Sequence, residues 1–200
     1  MGEHEAFVER VVAQLPSAPP TSFTFKHWPF GGRVTEEAFA LMPIPGADPE
    51  KLVAAVMDVD HYVGNIDHVA ECRAVKDPRF QQPDHVRFYQ RVNLPLLGAV
   101  HHELVLHRFG ARNGYTIAAW EILKPETDKL DAKQAFRSDY NHGAWVAAPG
   151  VVGYCLGSAP KREDVGFLKW KALTTGADAA APAVLRGNIE GMARFAAKRK

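Results

Sequence analysis

The chain has 200 residues, 46% hydrophobic and 24% charged, which is the balance of an ordinary globular protein with enough apolar material for a core. Its 24 Lys and Arg nearly cancel its 23 Asp and Glu, so it lacks the positive field that non-specific phosphate binding needs, and no nucleic-acid partner is expected. Cys72 and Cys155 are too few for a disulfide framework, and the acidic start leads into no signal-peptide core, so a cytoplasmic location is expected.

From Glu3 to Leu15, the apolar residues Phe7, Val8, Val11, Val12 and Leu15 share one side of a helical wheel, and Pro16, Pro19 and Pro20 stop the helix. A strand is expected over Arg33 to Met42. Asp48-Pro49-Glu50 is a helix start: Asp48 as N-cap, Pro49 where its missing N–H costs nothing, and Glu50 at the positive end of the dipole. That helix carries Leu52, Val53, Val56 and Met57, and a turn region follows from His61 to Asp67.

Strands are expected over Val69 to Val75, Val86 to Leu94, His101 to Phe109 and Gly114 to Leu123. A hairpin turning at Pro149-Gly150 joins Ala144-Trp145-Val146 to Val151–Leu156, and Phe167 to Leu173 reads as one further strand. After Thr174-Thr175-Gly176 a closing helix carries Leu185, Ile189, Met192 and Ala196 on one stripe. Strands flanked by helices, rather than alternating with them, imply an α+β fold with an antiparallel sheet.

The nine histidines offer no tight metal spacing: His101 and His102 point to opposite faces of a strand, and His101 and His107 sit about 20 Å apart. No metal site is expected, and His61 and His68 read as solvated. His101 and Glu103 project side by side, and an exposed polar face is the expectation for them. His102 is in register with Leu104 and Leu106, as a polar group lining an apolar interior or a satisfied core histidine. There is no GxSxG, GxGxxG or P-loop, and no cofactor is expected.

Phe88, Trp120, Trp145 and Trp170 fall on separate expected strands and offer flat surfaces to an apolar ligand, with Arg137 or Tyr140 as a polar contact for its head. Gly187 and Gly191 weaken the last helix; local opening and close packing against another backbone are the two readings. The end Lys198-Arg199-Lys200 reads as a solvated basic terminus, with transient contact to an anionic membrane as the alternative.

Four stretches carry a resemblance to a known superfamily: Ala47 to Val53 with Asp58 to Tyr62, Trp120-Glu121-Ile122, Gly143 to Pro149, and Pro182 opening the last helix. In these the chain resembles the START-like, or SRPBCC, superfamily with the Bet v 1-like helix-grip fold, and within it the bacterial polyketide-cyclase and lipid-transfer branches. The resemblance implies one domain over residues 1–200, with an N-terminal helix and linker at 1–32 and a helix-grip core at 33–197. It further implies a curved antiparallel sheet around a long C-terminal helix, enclosing a cavity for an apolar molecule.

Strand parity and helical face then select Met57, Phe88, His102, Trp120, Trp145, Ile189 and Met192 as ligand contacts. Binding or transport of one small hydrophobic molecule, lipid or sterol-like, is the first reading, ahead of catalysis. A cyclase or dehydratase using the same cavity, with His102 or Arg137 as its polar group, is the alternative, and a protein-interaction module with a filled core is a third. Neither spacing nor composition speaks to the oligomeric state.

Overall fold

The computed structural model describes residues 2–94 and 98–199, so Lys200 of the basic terminus lies outside the described residues. Helix α1 (Glu3–Val12) forms where the apolar stripe predicts it and buries Phe7, Val8 and Val11. Strand β1 (Thr24–Trp28) occupies the segment read as linker and pairs antiparallel with β2 (Glu37–Pro43), which starts later than the expected Arg33. Helix α2 (Pro49–Val56) begins on its N-cap: Asp48 Oδ1 accepts from the N–H groups of Glu50 at 2.9 Å and Lys51 at 3.3 Å.

The remaining strands are β3 (Val69–Ala74), β4 (His85–Leu94), β5 (Gly98–Arg112), β6 (Tyr115–Ile122), β7 (Phe136–Ala148) and β8 (Val151–Pro160). The short helices α3 (Lys124–Thr127) and α4 (Arg162–Val165) follow β6 and β8. Together the strands form an eight-stranded sheet in the order β1-β2-β8-β7-β6-β5-β4-β3. The Pro149-Gly150 turn sets the β7–β8 register, with Gly150 at φ 75° and Ala148 opposite Val151. Irregularities at Val69/Glu71, Arg108/Gly110 and Ser138/Tyr140 interrupt the ladders, and such bulges bend a sheet.

The last element overturns one expectation. Phe167 to Leu173 is not a strand; it is the start of helix α5 (Phe167–Ala197), and Pro182 lies inside that helix rather than at its beginning. Helical spacing brings Trp170 and Thr174 to one side. The Trp170 indole N–H donates to the Pro160 carbonyl at 3.1 Å, and the Thr174 hydroxyl donates back to the Trp170 carbonyl at 3.0 Å. The Trp170 bond anchors the start of α5 on the end of β8, and the helix runs on through the Thr-Thr-Gly segment that reads locally as a break.

The sheet has two covered faces. On its inner face α2 and α5 pack over Phe88, Leu104, Leu106, Trp120 and Trp145, contributing Val53, Val56, Leu185, Ile189 and Met192. On its outer face α1 lays Phe7, Val8 and Val11 over Phe39, Ile117, Ala144 and Val146. This is the α+β helix-grip arrangement that the element order implies, with an added N-terminal helix.

Gly187 and Gly191 decide between their two readings. A Cβ on Gly191 would lie 2.5 Å from the Asn65 carbonyl oxygen, and one on Gly187 would lie 2.8 Å from Asp67 Oδ2. The glycines therefore let α5 seat against the Asn65–Asp67 turn. Gly191→Ala meets fixed backbone, so overpacking of about 1–3 kcal/mol outweighs the ~1 kcal/mol gained in helix propensity. Urea unfolding is expected to show a net loss of up to about 2 kcal/mol for Gly191→Ala and little or none for Gly187→Ala, where the Asp67 side chain can swing away.

Candidate functional site

Met57, Phe88, Trp120, Trp145, Ile189 and Met192, from strands and helices alike, fall in one buried cluster on the inner face. The aromatic wall is continuous: Trp145 and Tyr154 lie 4.3 Å apart between ring centroids, and Trp120 and Tyr154 lie 5.5 Å apart with nearly parallel planes. Gly143, opposite Trp120 on the neighbouring strand, makes this possible, because a Cβ there would overlap the indole ring and the Cys155 carbonyl. Tyr154 and Cys72 extend the wall and were not among the residues picked from sequence.

His102 also faces inward, and it is the centre of a buried polar network. The Trp120 indole N–H can only donate, and it donates to Asn141 Oδ1 at 2.8 Å. Asn141 therefore turns its Nδ2 group toward the His102 ring, 3.3 Å from Nδ1 and 3.4 Å from Nε2. Ser138 Oγ lies 2.9 Å from Nδ1, and its hydroxyl can donate to or accept from that nitrogen. Gln90 Oε1 can only accept and lies 3.0 Å from Nε2, so the proton sits on Nε2 and Nδ1 accepts from Ser138. Burial, reinforced by the neighbouring His101, pushes the pKa of His102 down to about 3, and the ring is neutral at pH 7.

The network lies at the end of the inner face where β8 leads toward α5. Ser138 pairs with Pro160 across the ladder, and Pro160 is the residue whose carbonyl holds Trp170. Here α5 is loosely seated. Before Pro182, Thr174 is its one buried side chain among the described residues; after Pro182 the helix buries Leu185, Asn188, Ile189, Met192, Phe195 and Ala196. Proline removes one intrahelical hydrogen bond, so Pro182 separates a docked half from a lightly packed one.

At the other end a cleft of about 420 Å³ opens beside Met57, Val59 and Val86, rimmed by Asp58, Asp60 and Arg199. Arg199 is ion-paired with Asp58 there, so the basic terminus is tied to the protein surface at this residue. None of the described helices is long and apolar enough to cross a membrane.

Other sequence-picked residues fall elsewhere. Arg137 donates to Asp164 from its backbone N–H at 2.8 Å and from its guanidinium at 2.8 and 2.6 Å, and to the Asp128 carbonyl at 3.0 Å. Tyr140 bonds Thr35 at 2.6 Å and borders a cleft on the outer face. Trp170 is on α5, outside the aromatic wall. His101 and Glu103 do not form an exposed polar face: both are buried, Glu103 accepts from Arg87 at 2.9 Å, and Thr127 of α3 caps the Glu103 backbone. His61 is exposed and hydrogen-bonded to Asp58 at 2.7 Å, and His68 is exposed.

No protein-family model and no curated protein sequence matches the chain. Solved structures do. A STAR-related lipid transfer protein from Xanthomonas axonopodis superposes with a TM-score of 0.69 at 14% identity, covering 90% of this chain and 97% of that one. Human STARD10 gives 0.70 at 12% identity over 99% of this chain and 80% of that one. The Zhui aromatase/cyclase from Streptomyces sp. R1128 gives 0.54 at 12% identity, over 88% and 96%. At these identities the likeness is one of architecture, and the chain has the START-like helix-grip fold that these structures display.

Proposed function

We propose that the protein binds and carries one small hydrophobic molecule bearing a single polar head, lipid or sterol-like in character. The observation that supports this most is the position of the His102 network. A set of paired polar groups stands at the end of an aromatic and aliphatic wall, one strand away from Pro160, whose carbonyl holds Trp170 in the least firmly packed half of α5. Apolar walls with few convergent polar groups are the usual make-up of small-molecule sites. Met57, Phe88, Trp120, Trp145, Ile189 and Met192 would contact the apolar body and His102 the head. The half of α5 before Pro182 would act as the lid. Proteins of the same fold include a lipid transfer protein and an aromatase/cyclase, which accords with this choice.

The cyclase or dehydratase alternative draws on His102 or Arg137; Arg137 is engaged by Asp164, which leaves His102 to move a proton at neutral pH. A pKa of about 3 makes it a weak base, far from the value near the working pH that general catalysis favours. This favours a carrier.

A carrier must meet a membrane, and the surface beside the lid suits one. Leu168 is 81% exposed and Phe167 52% exposed, with Arg162 stacked over the Phe167 ring at 4.7 Å and Lys169 and Lys171 alongside. Apolar side chains ringed by basic ones fit an anionic bilayer surface. The first test is native mass spectrometry of the protein as purified from cells, with organic extraction of what travels with it. A stoichiometric apolar adduct is expected, and transfer of that compound between phosphatidylserine-containing vesicles should slow at least about fivefold in Leu168→Glu, roughly 1 kcal/mol. A protein that emerges empty and takes up no fatty acid, sterol or polyphenol in a displacement screen refutes the carrier reading.

A further inference from the structure

The outer face, opposite the proposed ligand site, holds a second cluster with a different chemistry. His4, in the first turn of α1, lies over His107 of β5, their ring centroids 5.1 Å apart. His107 Nε2 is 3.5 Å from Oε1 of Glu121 on β6. One ligand-type atom from each of His4, His107 and Glu121 lies within 4.8 Å of the others. Both ring nitrogens of His4 and Nε2 of His107 are buried with no hydrogen-bond partner. Buried imidazole nitrogens without a partner are costly unless something binds them, and one from each histidine stands in reach of the Glu121 carboxylate.

The tautomers point the same way. His107 Nδ1 meets His85 Nδ1 at 2.9 Å, and one of the two must carry the proton. If His107 carries it, its Nε2 lone pair is free and aimed at Glu121. That is the arrangement in which an outer histidine orients a metal-binding one. Ligands about 2.0–2.2 Å from a tetrahedral ion stand roughly 3.3–3.5 Å from one another, close to the 3.5 Å between His107 and Glu121. His4, in the first turn of a helix, needs only a small side-chain movement to complete the set.

We propose that His4, His107 and Glu121 bind a divalent transition-metal ion of the Zn²⁺ type, clamping α1 to the outer face of the sheet. Two imidazoles and one carboxylate suit Zn²⁺ or Co²⁺ better than the oxygen-seeking Ca²⁺ or Mg²⁺. Three protein ligands leave a fourth position, and His4 and Glu121 also border an outer-face cleft of about 310 Å³ through which water or a small anion could reach it.

The test is Co²⁺ titration of the full chain, prepared without a histidine tag, followed by visible absorption and Zn²⁺ competition. One Co²⁺ per chain with intense tetrahedral-type bands, displaced by Zn²⁺, is expected. Glu121→Gln and His4→Gln, both conservative changes at partly buried positions, should weaken binding by about 100-fold or more, and His85→Asn by about 10-fold, with circular dichroism of each variant matching the wild type. His61→Gln and His68→Gln should leave it unchanged. Weak octahedral-type spectra in the wild type, or equal binding by the Glu121→Gln variant, overturn the site. Loss of binding in the His61 and His68 variants instead shows an adventitious surface ion, and overturns it as well.

Discussion

Glu37→Ala is expected to cost about 3–5 kcal/mol of folding stability, read by urea unfolding at pH 7. The Glu37 side chain is wholly buried at the start of β2, and three elements converge on it. Arg10 of α1 binds it through two nitrogens, at 2.7 and 3.1 Å; the Trp28 indole of β1 donates at 2.5 Å; and His142 of β7 lies at 3.0 Å. Alanine leaves an indole N–H and a guanidinium without their acceptor. The guanidinium is partly exposed and can turn to water, which favours the lower end of the range. The same cluster sets an acid response. Burial pushes the Glu37 carboxyl up, but hydrogen bonds from His142, Arg10 and Trp28 outweigh it and hold the pKa at about 2, below the ordinary 4.5. A depressed carboxylate stabilises the fold above its unfolded pKa, and that contribution, about 3 kcal/mol, disappears as pH falls from about 4.5 to 2. Glu37→Gln should flatten this part of the stability–pH curve. A Glu37→Ala variant within 1 kcal/mol of the wild type would show that α1 and β1 are not held through this residue.

What the sequence makes legible is local code and period. Asp48-Pro49-Glu50 specifies the start of α2 because the cap and the proline act within one turn. Period-two parity puts Phe88, His102, Trp120 and Trp145 on one face whatever the partner strands are. By the same parity, Gln90 shares a face with Phe88 and Asn141 with Trp145, so two members of the network could have been picked out. Ser138 could not, because the irregularity at Ser138/Tyr140 breaks the count. Where neighbours decide, local signals mislead. Thr174-Thr175-Gly176 and Pro182 read as a break and a start, yet contacts at Trp170 and Leu185 carry one helix across both. Edge strand β1 hides among prolines, and Glu103 becomes buried only because α3 folds over it. The His4, His107 and Glu121 cluster joins a helix to two strands, a meeting that no spacing along the chain encodes.

Acidification from pH 7 to pH 5 is expected to cost the wild type about 2 kcal/mol more than His102→Gln. The sign follows from which form the fold accepts. Nδ1 of His102 is already facing the Ser138 hydroxyl and the Asn141 amide, and Asn141 cannot flip without leaving the Trp120 indole unpaired. A proton on Nδ1 thus confronts a donor in a buried site, and burial with the adjacent His101 lowers the pKa to about 3. The unfolded histidine protonates near 6.5, so the native state's advantage is complete above that pH and is lost progressively as pH falls toward 3. His4, also pushed down to about 4, chiefly by burial, adds a response of its own, which is why the variant is the proper reference. Glutamine can still accept from Ser138 and donate to Gln90, so His102→Gln should fold while losing the titration. Parallel wild-type and variant curves would mean that His102 is not held neutral inside the protein. The polar end of the proposed ligand site would then lose its physical basis, because a solvated, titrating histidine cannot mark the head of a buried apolar molecule.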